Sequence, residues 1–286
     1  MRVEPARRED YVALFREAYG EAALSEEEMR WWLDGGRAIQ GEAVEEDGRP
    51  LGVLSMLPVR MRSCTAGFVC HGVTAPAARG RGVYTEIERR NERELAGRGA
   101  GWAFCWTNER TKAIFTGKLG WTELPGMRLW ARLRRPTRRG GGGWRVEPSC
   151  PPFEARHETA ARGEGLVKDA GYLTWRYSDS PRAYHRVEHG AGWAVVRHRV
   201  WKGFSVAAVC DGTGGAGVLR RALKAVDHEV ALALVGRGEA GAYAAAGFVP
   251  SPFAMPLVAR RLSDEAPPLP RRRRDWAFSL GDMDFF

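Results

Sequence analysis

Apolar residues recur at two periods along this chain, and the switches between them outline its elements. Residues 8–22 and 26–33 read as helices, the second entered from Ser25 as N-cap with Glu28 three residues later. Residues 41–61, GEAVEEDGRPLGVLSMLPVRM, read as two strands around an Asp47-Gly48 hairpin turn. A third strand closes on His71-Gly72-Val73. A helix follows on which Val83, Tyr84, Ile87 and Leu95 share about a third of the circumference. GWAFCWT (101–107) is then a short buried strand, and a further helix runs from Asn108 towards Gly120-Trp121.

The pattern returns in outline later in the chain. Residues 192–211 supply a hairpin-like pair of strands, 217–226 a helix with apolar positions at 218, 219, 222, 223 and 226, and 229–236 a strand. YAAAGF (243–248) stands where TGKLGW (116–121) stood in the order of elements. An internal duplication with low residue identity accounts for this order.

Between the halves lies RRPTRRGGGGWRVEPSCPP (134–152), where four consecutive glycines and four prolines exclude a continuous strand or helix. A second break, SDEAPPLPRRRR (263–274), sets off a C-terminal tail. The expected organisation is therefore a domain over 1–135, a Gly/Arg-rich linker over 136–145, a domain over 146–262, and a docked tail over 263–286. The 286 residues suffice for two such domains, and 44% hydrophobic with 28% charged residues excludes a disordered chain. No apolar run reaches the roughly 20 residues of a membrane span, and the charged N-terminus MRVEPARRED shows no secretory signal. Five scattered cysteines without a CxxC pair argue against a disulfide framework or a metal site and suit a reducing cytoplasm.

One stretch changes the picture, VTAPAARGRGVYTEIERRN (73–91). Its alternating Arg79-Gly80-Arg81-Gly82 removes side chains where a backbone could approach a ligand and adds positive charge. Between a strand and a helix N-terminus, such a loop suits a polyphosphate. Neither a Walker motif nor a dinucleotide GxGxxG is present.

The order of strand, Pro76, RGRGV, helix, strand, Asn108, helix and KLGW resembles the GCN5-related N-acetyltransferase (GNAT) superfamily. That family's loop follows Q/R-x-x-G-x-G/A and grips the pyrophosphate of acetyl-CoA. Arg79 and Gly82 match it, and Tyr84 departs from it at the last small position. The chain looks like the tandem members of the family, with a degenerate second copy. YLTWRYSDSP (172–181) and the closing WAFSLGDMDFF also have that look.

The resemblance implies an α/β (α+β) fold of two GNAT-like domains, each a mixed, mostly antiparallel central sheet flanked by helices. It implies transfer of an acyl group from acetyl-CoA, or a related acyl-CoA, to a primary amine by direct attack, without a metal. Gly72, Val73 and Thr74 would pair with the pantetheine arm, Arg79, Gly80, Arg81, Gly82, Val83 and Tyr84 would hold the pyrophosphate, and Asn108 would contact the arm while capping its helix. A second reading keeps the fold and takes an aminoacyl-tRNA or a carrier-protein thioester as donor. The arginine clusters at 132–139 and 271–274, part of a net charge of +9, would then be docking sites. A third reading is a CoA-binding module that has lost catalysis.

Catalysis is less visible. The family often places a tyrosine as acid four residues before the Gly-aromatic pair; the first copy has Thr116 there, and the second has Tyr243 beside a loop without the arginine. His71 is a candidate base, although a histidine satisfied in the interior fits the same pattern. Some tandem relatives use a chain-terminal carboxylate, which brings in Asp282, Asp284 and Phe286. Trp276, Phe278 and Leu280 are too apolar to leave in water, so the tail is expected to dock. Trp31, Trp32 and Cys105 read as core, and Asp211 puts negative charge at the start of the second loop, where a pyrophosphate would need positive.

Overall fold

Local sequence signals set the first elements. In the computed structural model, which describes residues 1–20, 23–35, 37–134, 147–159, 163–201, 203–236 and 238–283, α1 spans Arg8–Tyr19 and α2 spans Glu26–Arg30. The Ser25 hydroxyl accepts the Glu28 N–H at 3.0 Å while the Glu28 carboxylate accepts the Ser25 N–H at 3.0 Å, and a π-helical turn over Trp31–Gly35 continues α2. Strands β1 (Arg2–Pro5), β2 (Ile39–Val44), β3 (Pro50–Arg60) and β4 (Thr65–Thr74) pair antiparallel in sequence order, with Gly48 at φ 85° in the β2–β3 turn. Then come α3 (Val83–Gly97), β5 (Trp102–Trp106) parallel to β4, α4 (Glu109–Lys118) and β6 (Thr122–Leu133).

The later half repeats the plan. After the short α5 (Ala170–Leu173), β7 (His185–His189), β8 (Gly192–Trp201) and β9 (Phe204–Thr213) pair antiparallel. Helix α6 (Ala216–Ala225) leads to β10 (Val230–Leu234), parallel to β9, and α7 (Ala240–Ala245) leads to β11 (Val249–Arg261).

The chain divides into two compact units, but not at the glycine run. Unit 1 is Met1–Pro125 with Pro256–Arg271, and unit 2 is Gly126–Met255 with Arg272–Phe286. The expected boundaries at 135, 146 and 262 follow composition, whereas strand pairing decides the actual ones. Leu257–Arg261 of β11 pair antiparallel with β5 in unit 1, and Leu129–Leu133 of β6 pair antiparallel with β10 in unit 2. Each unit thus completes its sheet with a strand from the other half of the sequence. The expected linker, 136–145, lies outside the described residues.

Each unit buries its own apolar layer. In unit 1, Val83, Ile87 and Leu95 of α3 and Phe115 of α4 pack on Leu54, Met56, Val69 and Cys105. In unit 2, Val218, Leu219, Ala222 and Leu223 of α6 pack on Val196, Val209 and Ala233. The helical spacing of these residues puts them on one face, and their burial provides most of the holding energy at about 25 cal/mol per Å² of apolar surface.

Candidate functional site

Strand β4 carries two distortions that open a cleft in unit 1. It pairs with β5 only through Ala66–Phe68 against Trp102–Phe104, so the residues beyond Phe68 have no parallel partner across that gap. On its other side the register shifts: Val53 faces Val73 and Ser55 faces Cys70, leaving His71 and Gly72 opposite Leu54 alone. This bulge places His71 at φ 48°, the left-handed region that a histidine seldom enters.

Side chains hold the bulge. Tyr11 Oη donates to the His71 carbonyl at 2.5 Å, Ser55 Oγ donates to the Cys70 carbonyl at 2.9 Å, and Asn91 Nδ2 donates to the Leu54 carbonyl at 3.1 Å. Gly72 is required by packing, since a Cβ there would lie 2.5 Å from Leu54 and 2.9 Å from the Tyr84 ring. The bulge also turns Cys70 and His71 towards the same aromatic layer. Trp32 Nε1 lies 3.0 Å from Cys70 Sγ, and the Trp32 ring meets the His71 ring edge-on at 5.1 Å. Trp31 and Trp32 are buried, as expected of core residues.

The loop after β4 combines tight turns with open backbone donors. Pro76–Ala78 form a 3-10 turn, and Gly80 and Gly82 take φ 82° and 79°, which only glycine adopts without strain. A Cβ at either would meet no protein atom within 4 Å, so both face open space. Gly82 caps α3 with no side-chain hydrogen bond, leaving the first-turn N–H groups, through Thr85, without intrahelical acceptors. Arg79 is exposed, with no ion-pair partner among the described residues, whereas Arg81 is held back by Glu45 at 2.8 Å. Hydrogen bonds from Arg81 and then Arg49 keep the Glu45 carboxyl below its ordinary range. Donors, open space and one guanidinium without an ion-pair partner among the described residues therefore meet at this loop.

The remaining first-unit residues sort by their hydrogen bonds. Asn108 caps α4, its Oδ1 accepting the Thr111 N–H at 2.9 Å. Thr116 Oγ1 donates to the Lys112 carbonyl at 3.0 Å, so its proton is already committed. Tyr84, the departure from the family pattern, turns inwards rather than crowding the loop, with its ring edge-on to Phe115 at 5.8 Å.

Unit 2 has the same frame with different contents. Val195 faces Asp211 and Val196 faces Val209, so β9 bulges at Cys210, and β9 pairs with β10 only over Val206–Val209. The tail docks here, with Trp276, Phe278, Leu280 and Met283 buried. The buried guanidinium of Arg176 donates to the carbonyls of Gly281 at 2.9 Å and Met283 at 3.1 Å. Lys168 Nζ sits 2.7 Å from Asp211 and 2.9 Å from Asp282, and donates to Ser279 Oγ at 2.8 Å. Burial alone would lower the Lys168 pKa, but Asp211 and then Asp282 raise it above the ordinary lysine range.

Two readings of the sequence change accordingly. Asp282 is not a free base, since Lys168 and the Ser279 N–H at 2.7 Å engage it. Asp211 does not face the loop as an uncompensated charge, since Lys168 neutralises it. Asp284 and Phe286 lie outside the described residues. Tyr243 packs edge-on against Phe248 at 5.3 Å. A cavity of about 460 Å³ at the second loop is lined by Gly212, Thr213, Gly214, Glu239 and the tail residues Trp276 and Phe278.

The Lys168–Asp211–Asp282 cluster has no signature in sequence, because its members are far apart along the chain. A lysine among apolar neighbours in GLVKDAGYL was the only hint. Among the described residues no helix is long and apolar enough to cross a membrane, and no group of three or more His, Cys, Asp or Glu is placed to hold a metal ion.

No protein-family model matches the sequence, and no curated protein matches it. Solved structures do match the fold over nearly the whole chain. A GCN5-related N-acetyltransferase from Kribbella flavida superposes with a TM-score of 0.61 at 12% identity, covering 91% of this chain and 70% of that one. Another, from Anabaena variabilis, gives 0.56 at 9% identity, with 92% and 73% covered. Eis1 from Mycobacterium abscessus gives 0.57 at 14% identity, with 93% and 75% covered. The fold is that of the GCN5-related N-acetyltransferases.

Proposed function

We propose that this chain, with its GNAT fold, is an N-acyltransferase that takes an acyl group from acetyl-CoA or a related acyl-CoA and passes it to a primary amine. The observation that carries the reading is the Arg79–Gly82 loop in unit 1. Two left-handed glycines face open space there, at the N-terminus of α3 and beside the gap between β4 and β5.

The pyrophosphate would lie against the N–H groups of the first turn of α3, with Arg79 closing on it. The arm would run along the edge of β4 at Gly72, Val73 and Thr74, which β5 leaves unpaired. In the reaction the amine nitrogen attacks the thioester carbonyl, the C–S bond breaks, and the sulfur leaves with the electron pair and takes up a proton. The aromatic layer around His71 forms one wall beside the bulge, where an acceptor amine would be deprotonated.

Titration calorimetry with CoA, followed by acetyl-CoA turnover over an amine panel read as thiol release, tests the reading. One CoA per chain and thiol release that depends on the amine are expected. Salt-sensitive tRNA binding without CoA affinity would overturn it in favour of a tRNA-borne donor.

A further inference from the structure

Thr116 stands where the acid is expected, yet its hydroxyl proton is bound to the Lys112 carbonyl. Another hydroxyl stands on the first turn of α3. Tyr84, the second residue of that helix, packs its ring against Gly72 on β4, where a Cβ would lie 2.9 Å from Tyr84 Cε2. Phe115 fixes the ring edge-on from α4. The ring thus lies between the bulged end of β4 and α4. Tyr84 is half-buried, and among the described residues its hydroxyl has no hydrogen-bond partner, which leaves its proton available to a ligand. Burial, and after it Cys105, keeps the phenol protonated well above its ordinary range, so a proton is present at neutral pH.

The geometry points to Tyr84 as the catalytic acid, donating its hydroxyl proton to the sulfur that leaves the acyl group. The inference rests on the acyl-CoA reading. As the amine nitrogen bonds the carbonyl carbon, the C–S electron pair goes to sulfur and the Tyr84 proton follows it, giving the free thiol. The tyrosinate recovers a proton from water, and the amine nitrogen releases one to solvent, so protons balance over the cycle. The departure from the small residue of the family loop then has a chemical purpose: the acid enters from the helix after the loop, not from α4.

The test compares the wild-type chain, Tyr84→Phe, and fluorotyrosines of graded acidity at position 84, with CoA affinity by calorimetry beside kcat for acetyl-CoA. Tyr84→Phe should keep the CoA Kd while kcat falls by at least about a hundredfold, within the range for a general acid. The fluorotyrosines keep the ring's shape, so a rate graded by phenol acidity separates proton donation from packing even if the phenylalanine variant is unstable. A Tyr84→Phe enzyme at the wild-type rate, a rate indifferent to fluorination, or a loss wholly explained by weaker CoA binding would overturn the assignment. A wild-type chain that neither binds nor turns over acyl-CoA would overturn the parent reading as well, which distinguishes the two failures.

Discussion

Units 1 and 2 place a glycine-rich loop on the same frame: a bulged strand, a parallel neighbour that pairs over a few residues, and a helix entered from glycine. In unit 1 the loop keeps its capacity for an anion, with Gly80 and Gly82 facing open space and Arg79 without an ion-pair partner among the described residues. In unit 2 the charges beside the corresponding loop are balanced from within. Lys168 balances Asp211 and Asp282, and the tail supplies Trp276 and Phe278 to the cavity beside the loop. The loop of unit 1 leaves its backbone donors uncompensated, whereas the charges beside the loop of unit 2 are balanced by their neighbours.

The largest expected effect breaks the scaffold. Lys168→Met leaves Asp211 and Asp282 buried together without a cation, which should cost about 3–5 kcal/mol. Denaturant unfolding measures it, and a loss below about 1 kcal/mol would mean the cluster contributes little to unit 2.

Next comes the loop itself. Gly82→Val imposes a side chain at φ 79° and projects it into the space facing the loop. CoA affinity should fall by about 2 kcal/mol, roughly thirtyfold, as phosphate hydrogen bonds are lost. Gly215→Ala at the entry of α6 has an ordinary φ of −96° and open space, and should leave CoA binding unchanged. Equal responses of the two variants in calorimetry would erase the distinction between the loops.

A smaller effect concerns how each unit handles a buried charge. Unit 2 pairs its acids with Lys168, but unit 1 buries Glu42, where burial raises the carboxyl from 4.5 to about 7, with Arg7 opposing and nearby Asp10 reinforcing the rise. The folded chain then holds a proton that the unfolded chain releases above about pH 4.5. Stability should therefore fall as pH rises from about 4.5 to 7 and level off above. Melting temperatures across that window should show a flatter slope in Glu42→Gln than in the wild type.

The smallest effect is expected at Thr116, whose hydroxyl bonds only its own helix. Thr116→Ala should change kcat by no more than about 0.5 kcal/mol in activation terms. A hundredfold loss would restore Thr116 to the chemistry.

Much of the fold was legible because it is written locally. The Ser25–Glu28 capping box, the Asp47-Gly48 turn and the strand–RGRG–helix order each depend on neighbours in sequence, and each stands in the structure. The apolar tail residues also announced that they would dock. Partner choice was not legible. The alternation of β6 and β11 says which side chains face inwards, but not which strand lies alongside, so the exchange escaped and the boundaries fell on the glycine run. The direction of Tyr84 was hidden too, because helical spacing placed it near the apolar face without showing that its ring turns in against Gly72 and Phe115. The positive φ of His71 has no sequence signal, since the bulge arises from register with β3.

The exchanged strands also govern the order in which the protein can be made. Strand β5 finds its antiparallel neighbour only in Leu257–Arg261, near the far end of the chain. During synthesis the first half therefore emerges with an exposed edge that stays unpaired until most of the second half has left the ribosome. Contacts so distant in sequence close slowly, because a long loop must be ordered before any pairing rewards it. An unpaired edge is also a template for other chains. A cut between the halves would therefore part β5 from Leu257–Arg261 and β10 from Leu129–Leu133.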